Sequence, residues 1–107
     1  MAFLDVTDET FDEEVLASEV PVLAHFTAPW CHPCKTVEAR LVELESAAAG
    51  RVRLVRLDID ADLGVPSRYG VLTIPTVIVF ADGEPHERIV GLQPRRRYQA
   101  VLDRHLA

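Results

Sequence analysis

The spacing of apolar residues changes several times along this chain, and each change predicts a new element. Phe3 to Val6 is a short apolar run before polar Thr7-Asp8, after which Phe11, Val15 and Leu16 recur at helical spacing; a strand and then a helix follow. Pro21 stops that helix, and Val22 to Thr27 is apolar nearly throughout, as in a strand buried on both faces. From Pro33 onward, Val37, Leu41, Leu44 and Ala48 fall on one helical stripe among charged residues, and Gly50 supplies a stop. Val52 to Ile59 reads as a third strand, and Ala61 to Tyr69 as a short helix interrupted by Pro66. Ile74 to Phe80 is a fourth strand, Ala81-Asp82-Gly83-Glu84 a turn, and Glu87 to Val90 a fifth strand paired with the fourth as a hairpin. Gly91 and Pro94 introduce a last helix with Tyr98, Val101, Leu102, His105 and Leu106 on one face.

Alternating strands and helices predict an α/β fold, a three-layer α/β/α sandwich with crossover connections and a closing antiparallel hairpin. At 107 residues the chain has room for one core, so residues 1–107 are expected to form a single domain.

Composition narrows the function. With 49% apolar and 26% charged residues the chain is an ordinary globular one. A net charge of -6 argues against nucleic acid as a partner, because a grip on phosphates needs clustered cations. The triplet Arg95-Arg96-Arg97 reads as a solvated helix face. The acidic opening, with Asp5, Asp8, Glu9 and Asp12, lacks the basic and apolar regions of a signal peptide, and no apolar run approaches the ~20 residues of a membrane span. A cytoplasmic protein with no membrane partner is expected.

The chemistry lies in APWCHPCKT, residues 28–36, which contains both cysteines. Cys31 and Cys34, three apart on a helix, share a face and can form a disulfide within one turn. Such a bridge closes too short a loop to stabilise much. A structural zinc site needs four ligands, and only His25 and His32 are at hand to complete one, so no metal is expected. A reversible redox pair remains. Pro33 favours a helix start and puts Cys31 at or before the first turn, where free N–H groups and the helix dipole favour thiolate. Cys31 is therefore read as the nucleophile and Cys34, inside the helix, as the resolving thiol.

WCHPCK after PVLAHFTAP, the segment YGVLTIPTVIVF and the turn FADGE together resemble the thioredoxin family, and VTDETFDEEVLASEVPVL and IVGLQP extend the resemblance over the whole length. The resemblance implies the thioredoxin fold, a five-stranded mixed sheet with four helices, and a cis peptide bond before Pro75. It also implies a thiol-disulfide oxidoreductase that reduces protein disulfides, needs no bound cofactor, is recharged by a thioredoxin reductase-like donor and works as a monomer. Ile74 is implied to pair with the substrate backbone, and Trp30, Pro33, Ile74, Pro75, Gly91 and Leu92 to form an apolar patch around the sulfurs.

Several residues depart from the family pattern. His32 stands where Gly is usual, and a cationic imidazole there stabilises thiolate and predicts a less reducing couple. His25 stands where the family carries a buried acid and is a candidate to take the proton of Cys34, with burial and nearby Arg56 both opposing its charged form. Thr27 stands where an aromatic is common and Ala39 where the family often has a helix-kinking Pro, and two other readings stay open: a more oxidising thiol oxidase or disulfide isomerase tuned by His32, and a non-enzymatic binding module using the Trp30 and Ile74 patch.

Overall fold

The structure, a computed structural model, describes residues 2–106. Its strands are β1 (Phe3–Asp5), β2 (Val22–Thr27), β3 (Arg53–Asp58), β4 (Thr76–Ala81) and β5 (Glu84–Val90), and its α-helices are α1 (His32–Ala48), α2 (Gly64–Arg68) and α3 (Arg95–Asp103). The first predicted helix is a π-helical turn, Asp12–Leu16, that buries Val15. The five strands form one mixed sheet in the order β1-β3-β2-β4-β5, with β1 and β2 parallel to β3 and with β2-β4 and β4-β5 antiparallel.

Strand periodicity divides the core. Leu23, Val77 and Val79 face α1 and α3, packing with Val37, Leu41, Leu44, Tyr98 and Val101. Their neighbours Val22, Ala24, Phe26, Ile78 and Phe80 face the other way, against Phe11, Val15 and Val65. All six residues of β2 are buried, because β2 lies between β3 and β4 with helices on both sides.

The boundaries differ from the sequence pattern for local reasons. Pro66 does not interrupt α2 but lies in its first turn, where an N–H has no partner within the helix to lose. That short helix is held from a distance: the Asp8 carboxylate accepts the N–H groups of Gly64 and Val65, each at 2.8 Å. A Cβ on Gly64 would lie 2.9 Å from Asp8 Oδ2, so glycine permits the approach. Helix α1 ends one residue earlier than a Gly50 stop suggests, with Ala49 already left-handed at φ 50°. Strand β4 begins after Pro75, which has no N–H for the ladder. Strand β5 begins at Glu84 because Asp82 and Gly83, both at positive φ, turn the chain in two residues.

Candidate functional site

The C-terminal end of central β2 leads through Ala28 to Trp30 into the start of α1, so the cysteines lie where a buried strand gives way to a helix. Cys31 is the residue before the first helical turn, in extended conformation, and its N–H donates to the Ala28 carbonyl at 3.1 Å. Pro33 is the second helical residue, as its missing N–H favours. Cys31 and Cys34 are joined by a disulfide with their Cα atoms 5.4 Å apart. Both are buried, Cys31 at 4% and Cys34 at 1% exposure.

Two different surroundings meet at this bond. On the outside, Trp30 is 68% exposed, and its indole N–H donates to Asp60 Oδ2 at 2.6 Å. His32 and Pro33 are exposed, Ile74 is half-buried and Pro75 is buried, with a cis peptide bond between Ile74 and Pro75. The Gly91 N–H donates to the Pro75 carbonyl at 2.8 Å, tying the two loops together. Tyr98 steadies the same loop by donating its hydroxyl to the Gly91 carbonyl and accepting the Gln93 N–H, both at 3.2 Å.

On the other side, a cavity of about 250 Å³ is lined by both cysteines and also by Thr27, Lys35, Glu38, Arg56 and Asp58. Glu38 lies one turn after Cys34 on α1, and the spacing places both on one helix face. Its Oε1 accepts from Arg56 Nη1 at 3.0 Å, and its Oε2 lies 3.4 Å from His25 Nδ1, off the axis of a hydrogen bond. His25 is fully buried in β2, and among the described residues neither ring nitrogen makes a hydrogen bond of good geometry. The neighbouring imidazole, with Arg56 adding to its effect, holds the Glu38 carboxyl below its usual range against the opposing cost of burial. Arg56 is held charged chiefly by its hydrogen bond to Asp5.

Arg56 therefore does not face His25 as a lone cation. The sequence pattern singled out both residues but missed the carboxylate between them, although Glu38 four residues after Cys34 was the available signal. Asp60, the partner of the Trp30 indole, was missed as well. Arg95, Arg96 and Arg97 are exposed as expected, with Arg95 paired to Glu43 at 3.2 Å. Among the described residues no group of three or more His, Cys, Asp or Glu is placed to hold a metal ion, and no helix is long and apolar enough to cross a membrane.

Comparison with known proteins agrees with this geometry. The sequence profile of the family described as Thioredoxin matches residues 2–104. The chain is 41% identical to Thioredoxin 1 of Synechococcus elongatus over 101 residues, 94% of each chain. It is 40% identical to the thioredoxin of Bacillus subtilis and 41% identical to that of Staphylococcus haemolyticus, each over 106 residues covering 99% of this chain and 100% of the relative.

Proposed function

The chain belongs to the thioredoxin family, and from that premise we propose that Cys31 is the attacking thiol and Cys34 the resolving thiol of its cycle. The protein is a thiol-disulfide oxidoreductase; its substrates are protein disulfides and its electrons come from a reductase donor. The oxidant, isomerase and non-catalytic readings are not favoured beside relatives of this kind.

The observation that carries the assignment is the Cys31–Cys34 disulfide at the first turn of α1. Once the bond is reduced, the unpaired amides and the dipole at that helix end favour a thiolate on Cys31. That thiolate attacks one sulfur of a substrate disulfide, and the other leaves as a thiolate and takes a proton. Cys34 then attacks Cys31 Sγ in the mixed disulfide, the second substrate sulfur leaves with the bonding electrons, and the Cys31–Cys34 bond is restored. Both electrons come from the two cysteines, so the step calls for no bound cofactor.

The other roles follow from position. The rim of Trp30, Pro33, Ile74, Pro75 and Gly91 receives the substrate chain, supported by the exposed indole and by the hydrogen bond joining Gly91 to Pro75. His25 takes part in the loss of the Cys34 proton, a role supported by its full burial and by the Glu38 carboxylate beside its Nδ1. His32, exposed at the first position of α1, adds a titratable group near Cys31 and tunes the potential. The chain acts as a single-domain monomer in the cytoplasm, where a reducing thiol pool keeps such a couple cycling.

The test is catalysed reduction of a protein disulfide with dithiothreitol as donor. Cys31→Ser is expected to abolish catalysis, and full activity in that variant would overturn the assignment. The potential of the couple, followed by Trp30 fluorescence in glutathione buffers, tests His32: His32→Gly is expected to make it more reducing, and an unchanged value removes His32 from the tuning.

A further inference from the structure

Resolution of the mixed disulfide requires Cys34, a buried thiol, to lose its proton, so something within reach must accept it. The charged groups around the cavity are Lys35 and Glu38 from α1, Arg56 and Asp58 from β3 and Asp5 from β1, with His25 of β2 behind Glu38. Only the three carboxylates can accept a proton there directly. Asp5 is turned to Arg56, accepting from Nε at 2.8 Å and Nη2 at 3.2 Å, and its side chain is 70% exposed. Asp58 turns Oδ1 to the Asp60 N–H at 2.9 Å. Glu38 differs from both in being backed by a second, fully buried base.

We propose that Glu38 and His25 act as one proton-sharing pair, with Glu38 the cavity-facing member through which Cys34 passes its proton during resolution of the mixed disulfide. The proposal rests on the thiol cycle above and deepens it.

Three observations carry it. Glu38 follows Cys34 by one helical turn and lines the same cavity, whereas His25 does not line it. Arg56 holds Glu38 Oε1, which leaves Oε2 beside His25 Nδ1 at 3.4 Å. The imidazole is fully buried, and among the described residues the Glu38 carboxylate beside Nδ1 is its ionic partner. The pairing also solves a mismatch, since a lone carboxylate is too weak a base for a thiol. A proton that reaches Glu38 can be shared with His25 across the 3.4 Å contact, so the pair offers it two sites where Glu38 alone offers one.

The step balances without an outside oxidant. The Cys34 S–H bond breaks and its proton passes to the pair; the Cys34 sulfur bonds to Cys31 Sγ; the bond from Cys31 to the substrate sulfur breaks and its electrons leave on that sulfur. The pair then returns its proton to the departing thiolate or to solvent through Glu38, whose side chain is 23% exposed. Glu38 is a positioning and relay residue, because the reacting bond lies between the sulfurs.

The experiment uses the reduced protein and an aromatic disulfide whose released thiolate absorbs in the visible. The first release reports attack by Cys31 and the second reports resolution by Cys34. Glu38→Gln is expected to leave the first release unchanged, slow the second by about tenfold or more at neutral pH, and flatten its pH profile. His25→Gln is expected to do the same, and the double variant to be no slower than the slower single one, as members of one unit behave. Asp58→Asn is expected to leave the second release unchanged, and Glu38→Asp to restore part of the pH profile and to carry the test if the Gln variant fails to fold. An unchanged second release and pH profile in Glu38→Gln, a slowing reproduced by Asp58→Asn alone, or slowings that multiply in the double variant would each overturn the pair. A first release that survives Cys31→Ser overturns the thiol assignment instead, so the two failures are distinct.

Discussion

The outer rim of the disulfide and the floor beneath it invert the usual distribution of a globular protein. The rim is largely apolar and partly exposed, with Trp30 at 68% exposure and Pro33 open beside it. The floor is ionisable and largely shielded, with His25 fully buried and Glu38 and Arg56 half-buried beside it. Exposed apolar groups suit a surface that must recognise another chain, and shielded polar groups suit a step that moves a proton out of a buried thiol. The helix start between them lets one bond face both environments.

The largest effect that would break this comparison is expected from Cys34→Ser. Attack by Cys31 persists while turnover stops, and the protein accumulates as a mixed disulfide with its substrate, visible by mass spectrometry; continued turnover would mean that the inner thiol has no separate task. Next in size is Leu41→Ala, which deletes a fully buried side chain one turn beyond Val37 on α1. It should cost about 3 kcal/mol in chemical unfolding, and a loss below about 1 kcal/mol would show that the core under α1 is not tightly packed.

Trp30→Ala tests the rim: the KM for protein substrates should rise several-fold while unfolding shifts by no more than about 0.5 kcal/mol. An equal loss of stability would make Trp30 a packing residue. The smallest effect is a pH dependence on the floor. The Glu38 carboxyl is held below its usual value of 4.5, first by His25 and also by Arg56. A folded-state value below the unfolded one means that the unfolded chain binds more protons in that range, so stability rises with pH there. The contribution is fully present above about pH 4.5 and is lost as pH falls through the folded value. Glu38→Gln should make the acid limb of the unfolding curve shallower, and an unchanged limb would mean that these contacts do not favour the ionised carboxylate.

The sheet and the helix carrying the cysteines were legible because they rest on repeats that the chain itself displays. The apolar run Val22 to Thr27 matches β2 residue for residue, and the stripe Val37, Leu41, Leu44 and Ala48 is the buried face of α1. Elements held by distant partners were less legible. Helix α2 depends on Asp8, more than fifty positions away, and no local pattern announces such a cap. The start of β5 depended on turn chemistry at Asp82 and Gly83, which the sequence marks as a turn without giving the register beyond it.

The sequence by itself narrowed the chemistry to a reversible disulfide, because two cysteines three apart close too short a loop for a stabilising bridge and lack the further ligands of a zinc site. It also determined which side chains turn inward, since strand and helix periods are local properties of the chain. Tertiary structure alone decided which charges meet beneath the disulfide. Asp5, His25, Glu38 and Arg56 come from four different elements, and their order, with Glu38 between Arg56 and His25, depends on parallel register and helix placement. An electrostatic environment falls off with distance in space rather than along the chain, so it exists only once the sheet has brought those elements together.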